Sequence, residues 1–134
     1  MRFLEHLSFL CEHSGRVIVL GQVPLLGVPK ENQRDLRGYI RNTGKRIEDI
    51  NVKDAGAVRE ANAIVRKLCA EVAHNNLVFL DPYDLMMGPD GNVRLFNERN
   101  LLYYDYNHVN EHGAHYVYDQ LIRAQLNTPK PAKP

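Results

Sequence analysis

Arg16-Val17-Ile18-Val19-Leu20-Gly21-Gln22 is a short, continuous, β-branched apolar run, the pattern of a parallel strand buried on both faces. Before it, Phe3, Leu4, Leu7, Leu10 and Cys11 recur at spacings of three and four, as on an amphipathic helix. Ser14-Gly15 stops that helix, with glycine taking the left-handed position past its end. After the strand, the two prolines and the glycine of Val23-Pro24-Leu25-Leu26-Gly27-Val28-Pro29 deny regular pairing and predict a loop.

Working outward, Glu31 to Ile50 is polar and interrupted by Gly38 and Gly44, which predicts a surface excursion with some helical turns. From Lys53 or Asp54 to about His74, a helical stripe runs through Val58, Ala61, Ile64, Val65, Leu68, Cys69 and Val72. Asn75-Asn76 punctuates its end. Leu77-Val78-Phe79-Leu80 is a second buried strand, terminated by Asp81-Pro82. Pro89-Asp90-Gly91-Asn92 is a turn, flanked by short strands around Met86 and from Val93 to Phe96. Asn110 can cap a helix from Glu111 to about Gln125, with Val117, Leu121 and Ile122 as its core stripe. The order helix, strand, helix, strand, helix predicts α/β layering with right-handed crossovers. No internal repeat is visible. In such folds chemistry sits beyond the C-terminal ends of the strands, where the Pro24 loop, Asp81 and the Asp105 to His108 segment would collect.

A chain of 134 residues has the length of one domain. Its 44% apolar and 25% charged content is that of a soluble globular protein. The formal charge of +1 argues against nucleic acid as a partner, because phosphate binding needs a concentrated basic surface. Arg34, Arg37, Arg41, Lys45 and Arg46 do cluster, but Glu48 and Asp49 follow, and a solvated helical face accounts for them. Cys11 and Cys69 lie among apolar residues at helical spacing and read as buried thiols, with a disulfide left open. No apolar run approaches the roughly 18 to 20 residues that cross a bilayer. Glu5 and His6 interrupt the apolar start, unlike a signal peptide, so the chain as written is expected to be soluble and without an export signal. Thr128-Pro129-Lys130-Pro131-Ala132-Lys133-Pro134 cannot hold a helix and is expected to be a frayed, disordered tail.

The chemistry-bearing stretch is Leu101-Leu102-Tyr103-Tyr104-Asp105-Tyr106-Asn107-His108-Val109-Asn110-Glu111-His112-Gly113-Ala114. Asp105 stands three residues before His108, a compact way to build the base half of a serine hydrolase site. The His accepts the nucleophile's proton while the Asp fixes its tautomer. From spacing alone, a surface loop whose Asp caps a turn is the preferred account. The chain has only two serines, Ser8 and Ser14, neither in a Gly-Asp-Ser or Gly-x-Ser-x-Gly setting. Ser14 reads as part of a helix terminus rather than as a nucleophile. His108, His112 and His115 suggest a metal site, but His108 precedes the helix cap, so only His112 and His115 share a face. No metal or cofactor is assigned. Asp81 and Asp84 could be paired carboxylates, although Asp81-Pro82 is also an ordinary strand exit, which is the reading preferred.

Taken together, these residues resemble the SGNH hydrolase domains fused C-terminally to membrane acyltransferases of family 3. Those domains end with a Tyr-Tyr-Asp-x-x-His-Leu-Ser-x-x-Gly-Ala segment. Tyr103-Tyr104-Asp105, His108-Val109-Asn110 and Gly113-Ala114 match it at the same spacing, with Asn110 in place of Ser. Val17 to Pro24 is similar to the family's late strand and its Pro loop, and Phe79-Leu80-Asp81-Pro82 to its next strand end.

The resemblance implies a three-layer, flavodoxin-like α/β fold, incomplete because the N-terminal strand with its Gly-Asp-Ser nucleophile is not among these residues. Residues 1–127 would then be the C-terminal part of the domain and 128–134 a disordered tail. It implies O-acyl transfer or ester hydrolysis on cell-envelope glycans, with His108 as base and Asp105 as its orienting partner. It further implies a location on the extracytoplasmic face of the inner membrane. The implied partners are a glycan or ester substrate and the missing N-terminal portion or the membrane acyltransferase domain. The alternative is a truncated, non-catalytic remnant or a small interaction domain. Tyr103 and Tyr104 are expected to pack beside the site or line an acceptor groove.

Overall fold

A computed structural model describes residues 2–130. The elements in chain order are α1 (Arg2–His13), β1 (Val17–Leu20), α2 (Leu36–Thr43), α3 (Val58–Val72), β2 (Leu77–Leu80), β3 (Phe96–Asn97), β4 (Asn100–Leu101), α4 (Glu111–Val117) and α5 (Arg123–Asn127). Short 3-10 turns at Lys30–Asn32 and Ile47–Asp49 flank α2, and a π-helical turn, Tyr118–Ile122, joins α4 to α5. The architecture is α/β. β1 and β2 pair in parallel, in register from Val17 with Leu77 to Leu20 with Leu80. Val17 N–H to Asn76 O and Gly21 N–H to Leu80 O, both 2.8 Å, continue the ladder at its two ends. α3 is the crossover between the strands, and it packs on β2 and on α1. Cys11 and Cys69 are buried on those two helices as free thiols, so the disulfide left open is not formed.

The strands are not buried on both faces as their composition suggests. Every residue of β1 and β2 keeps some exposure, and Leu20 keeps 45%. Among the described residues, each strand has one strand neighbour, and its other edge pairs with no strand. The core lies elsewhere. Leu26, Val28, Leu36, Val52, Met86, Val93, Leu95, Leu102, Tyr103 and Val117 form one buried cluster, drawn mostly from loops and short strands.

The polar excursion from Glu31 to Ile50 is therefore more than surface, because it sends Leu36 into this core at 1% exposure. Gly38 does not break α2. It sits in the first turn, where Asp35 Oδ1 accepts from its N–H at 3.0 Å. Gly44, at φ 62°, is the residue that ends the helix, a conformation glycine takes at no steric cost.

α3 starts later than its stripe predicts. Lys53 O accepts from Gly27 N–H at 2.8 Å, and Asp54 Oδ1 accepts from the N–H groups of Leu25 and Gly56. Those bonds pin 53–56 to the Pro24 loop and keep it out of the helix. The buried line of α3 keeps the expected Val58 and Cys69 and adds a polar residue. Val58, Asn62 and Cys69 face inward, whereas Ala61 and Ile64 are exposed. The strands expected around Met86 and Val93 to Phe96 shrink to a Met87–Val93 bridge and the β3–β4 hairpin.

α4 begins at the expected cap. Asn110 Oδ1 accepts from Gly113 N–H at 3.0 Å while its Nδ2 donates to Leu101 O at 2.7 Å. Gly113 is required there by close approach: a Cβ would stand 2.1 Å from Leu102 O. The helical course passes Gln125 and ends at Asn127. Arg16 donates to Gln125 O and, at 2.6 Å, to Thr128 O, fastening this end beside the start of β1. Of the expected disordered tail, Pro131 to Pro134 lie outside the described residues. No helix among the described residues is long and apolar enough to cross a membrane.

Candidate active site

The segment from Tyr103 to His108 is fixed at the C-terminal end of β1 by contacts to four places in the chain. Tyr103 is fully buried, and its hydroxyl donates to Pro24 O at 3.0 Å. Burial, reinforced by the nearby Asp54 and Tyr83, pushes its phenol far above the ordinary range, so it stays protonated as a donor. Leu26 N–H donates to Tyr106 O at 2.8 Å, and Tyr106 N–H to Gln33 O at 3.0 Å. Gln22 Nε2 donates to Asn107 O at 3.1 Å. Tyr104 N–H closes the loop on His108 O at 2.8 Å.

Inside this loop, His108 Nδ1 lies 2.9 Å from Asp105 Oδ1 and 3.0 Å from Oδ2. Asp105 Oδ1 also accepts from Asn107 N–H at 3.0 Å and His108 N–H at 2.9 Å. The turn-capping account and the base-orienting account thus describe one geometry. Burial would push the Asp105 carboxyl up, but the His108 side chain and the two backbone N–H groups outweigh it and hold it below the ordinary carboxylate range. An ionised carboxylate only accepts, so in the neutral ring the proton sits on Nδ1 and the lone pair on Nε2. The Asp105 side chain is 14% exposed and that of His108 is 67% exposed. The half-buried acid holds an exposed ring.

The other sequence candidates fall elsewhere. Ser14 precedes β1 and its carbonyl accepts from Asn76 Nδ2 at 2.8 Å, at the opposite end of the strand from His108. Four strand residues alone span roughly 13 Å. Ser8 lies one helix earlier, with its hydroxyl on Glu12. Neither serine stands beside the dyad. His112 and His115 are exposed on α4, with His115 Nε2 3.8 Å from Glu111 Oε1. Among the described residues no group of three or more His, Cys, Asp or Glu is placed to hold a metal ion. Asp81 and Asp84 are not a pair. Asp81 takes Asn62, Tyr83 N–H and Arg66, whereas Asp84 takes Arg59 at 3.3 Å.

Two residues that the sequence did not single out organise this end of the sheet. Asn62 is 2% exposed; its Oδ1 accepts from Gln22 N–H at 2.9 Å. Its Nδ2 donates to Gln22 O at 2.9 Å and to Asp81 Oδ1 at 2.8 Å. It therefore ties the exits of β1 and β2 together, and Gln22 carries the tie on to Asn107. The available signal was a polar residue four positions after Val58 and seven before Cys69, in line with both on the helix.

Two depressions flank the loop. An apolar groove of about 630 Å³ lies against Leu20, Val23, Val109, Ala114, Val117 and Ile122. A smaller cleft of about 240 Å³ opens between Arg34, Asp35, Leu36, Arg37, Tyr103, Tyr104 and Asn110.

Compared with known proteins, the sequence matches the family described as "SGNH domain (fused to AT3 domains)" over residues 2–123. No curated protein and no solved structure matches it. The match takes in nearly the whole chain, the Asp105–His108 loop included, and the chain belongs to that family.

Proposed function

We propose that this SGNH domain supplies the base half of an O-acyltransferase or esterase site acting on cell-envelope glycans. The observation that supports this most directly is the Asp105–His108 pair, with Nδ1 held at 2.9 Å and Nε2 left to accept a proton. His108 Nε2 takes the proton from a serine hydroxyl as the serine oxygen bonds to the ester carbonyl carbon. His108 then returns that proton to the departing alkoxide, leaving an acyl-serine. In the second half, His108 deprotonates a sugar hydroxyl, or water, which attacks the acyl carbon, and gives that proton to the departing serine oxygen. Asp105 keeps the ring in its Nδ1–H form and stabilises the imidazolium between the two steps. A base placed in this way contributes roughly 10²- to 10⁴-fold in rate.

The serine and the oxyanion donors come from polypeptide outside these 134 residues. It completes a three-layer, flavodoxin-like sheet at the uncovered edge of β1, on the extracytoplasmic side of the membrane. The alternation of a parallel ladder supports this docking edge. Val17 and Gly21 donate toward β2, so the backbone groups of Ile18 and Leu20 point away from it. The apolar groove beside Leu20 and Val109 continues the same uncovered surface.

Fragment complementation tests the proposal. The Gly-Asp-Ser-bearing N-terminal part of a related domain is mixed with this chain and probed with a fluorophosphonate. Serine labelling should appear only on mixing, disappear with His108→Ala and fall with Asp105→Asn. Labelling that survives His108→Ala unchanged would overturn it.

A further inference from the structure

We propose that the cleft between Arg34, Arg37 and Tyr104 is a binding subsite for an anionic sugar residue, the acid group held by the two guanidinium groups and the sugar ring laid on the tyrosine. It rests on the proposed function only in taking this to be the acceptor side of the site; sugar binding itself needs no chemistry at His108.

Three observations meet there. The first is position. Tyr104 and Asn110 line the cleft, and Tyr104 N–H bonds His108 O at 2.8 Å, so the cleft opens directly beside the base loop. Tyr106 N–H on Gln33 O brings the 33–37 segment alongside that loop and fixes the two walls relative to one another. The second is an unused charge. Arg34 and Arg37 are exposed, and among the described residues neither side chain makes a hydrogen bond or ion pair, as is also true of Arg41 and Arg99. The one carboxylate in the cleft, Asp35, already accepts from Gly38 N–H at the start of α2. The third is Tyr104, which is 73% exposed, while its neighbour Tyr103 is fully buried.

This combination selects a ligand class. A guanidinium presents paired N–H donors that match a carboxylate or phosphate. An exposed tyrosine offers an apolar ring face with a polar tip, which suits the C–H face of a pyranose. A neutral sugar would leave both arginines unused, and a small anion would leave the ring uncovered. A carboxylated or phosphorylated sugar engages both.

NMR titration of the full chain distinguishes these cases, with trigalacturonate, glucose 1-phosphate and maltotriose as probes. An acidic sugar should shift the Tyr104 ring and the Arg34 and Arg37 Nε–H signals, and maltotriose should bind at least about fivefold more weakly. Arg34→Gln with Arg37→Gln should weaken the acidic probe by about fivefold or more, the scale of exposed charge pairs. Tyr104→Ala should weaken it too. Whichever acid binds more tightly identifies the carboxylate or the phosphate as the recognised group. The proposal is overturned if maltotriose binds as well as the acidic sugars, if no acidic sugar shifts these residues, or if the double variant binds like the wild type. His108→Ala should leave binding intact. Serine labelling that survives His108→Ala, with sugar binding retained, would then sink the acyl-transfer reading alone, whereas labelling lost with His108→Ala but no acidic-sugar binding would sink only the subsite.

Discussion

Leu26, Leu36, Met86 and Tyr103 retain 1%, 1%, 0% and 0% of their surface, whereas every residue of β1 and β2 remains partly open. The first group belongs to loops, turns and the start of α2; the second is the sheet of an α/β domain. In most such folds the sheet is the best-buried layer. Here the densest packing lies beside it, in a cluster that Leu36 joins from the polar excursion and Tyr103 from the base loop. The consequence is a division of labour. The region that positions Asp105 and His108 is well packed, and the parallel strand pair is the less buried of the two.

Substitutions separate the two regions most clearly at their extremes. Leu36→Ala should cost about 2–5 kcal/mol in urea unfolding, the usual price of emptying a fully buried leucine site. A cost below 1 kcal/mol would mean that the loop cluster is not the core. Asn62→Ala comes next, because it leaves Gln22 N–H, Gln22 O and one contact of Asp81 without a partner. About 1–3 kcal/mol is expected for such orphaned groups, with faster amide exchange at Gln22 and Asn107. Unchanged exchange at Asn107 would show that the base loop does not depend on the strand exits.

A pH experiment probes the loop alone. The folded-state Asp105 carboxyl is held below its ordinary value, so its contribution is fully present above the unfolded value of about 3.9 and is lost as pH falls through the folded one. The Asn107 and His108 amide signals should therefore move below about pH 4, while Val93 and Leu102, bonded to Val52 O and Leu95 O, hold their positions. Asp105→Asn should abolish that movement. Smallest of all is Leu20→Ser, at 45% exposure in the wild type, which should change stability by no more than about 0.5 kcal/mol. A larger loss would place β1 in the core after all.

How much of this was legible depends on where the deciding contact lies. Val17 to Leu20 and Leu77 to Leu80 announce themselves as strands because local β-branched runs carry the signal. Their partial exposure does not, since it depends on what lies across the edge. The α3 stripe was legible at Val58 and Cys69, but Ala61 and Ile64 are exposed, and the inward Asn62 is polar and so unmarked by apolar spacing. Leu26, Leu36 and Val52 sit in aperiodic segments, so nothing in their spacing marks them as core. The contact between Asp105 and His108 was legible because they are three residues apart. Gln22 was not, because its partners Asn62 and Asn107 lie 40 and 85 residues away.

Asp105 Oδ1 receives three donors, all from Asn107 and His108. The spacing between acid and base is thus measured off by covalent bonds, like marks on a ruler. One extra residue between positions 105 and 108 would throw both backbone N–H groups and the imidazole out of reach together. An insertion at the exposed Pro89 to Gly91 turn would leave that ruler intact. Length variation in this domain should therefore be tolerated almost anywhere before it is tolerated across these four positions.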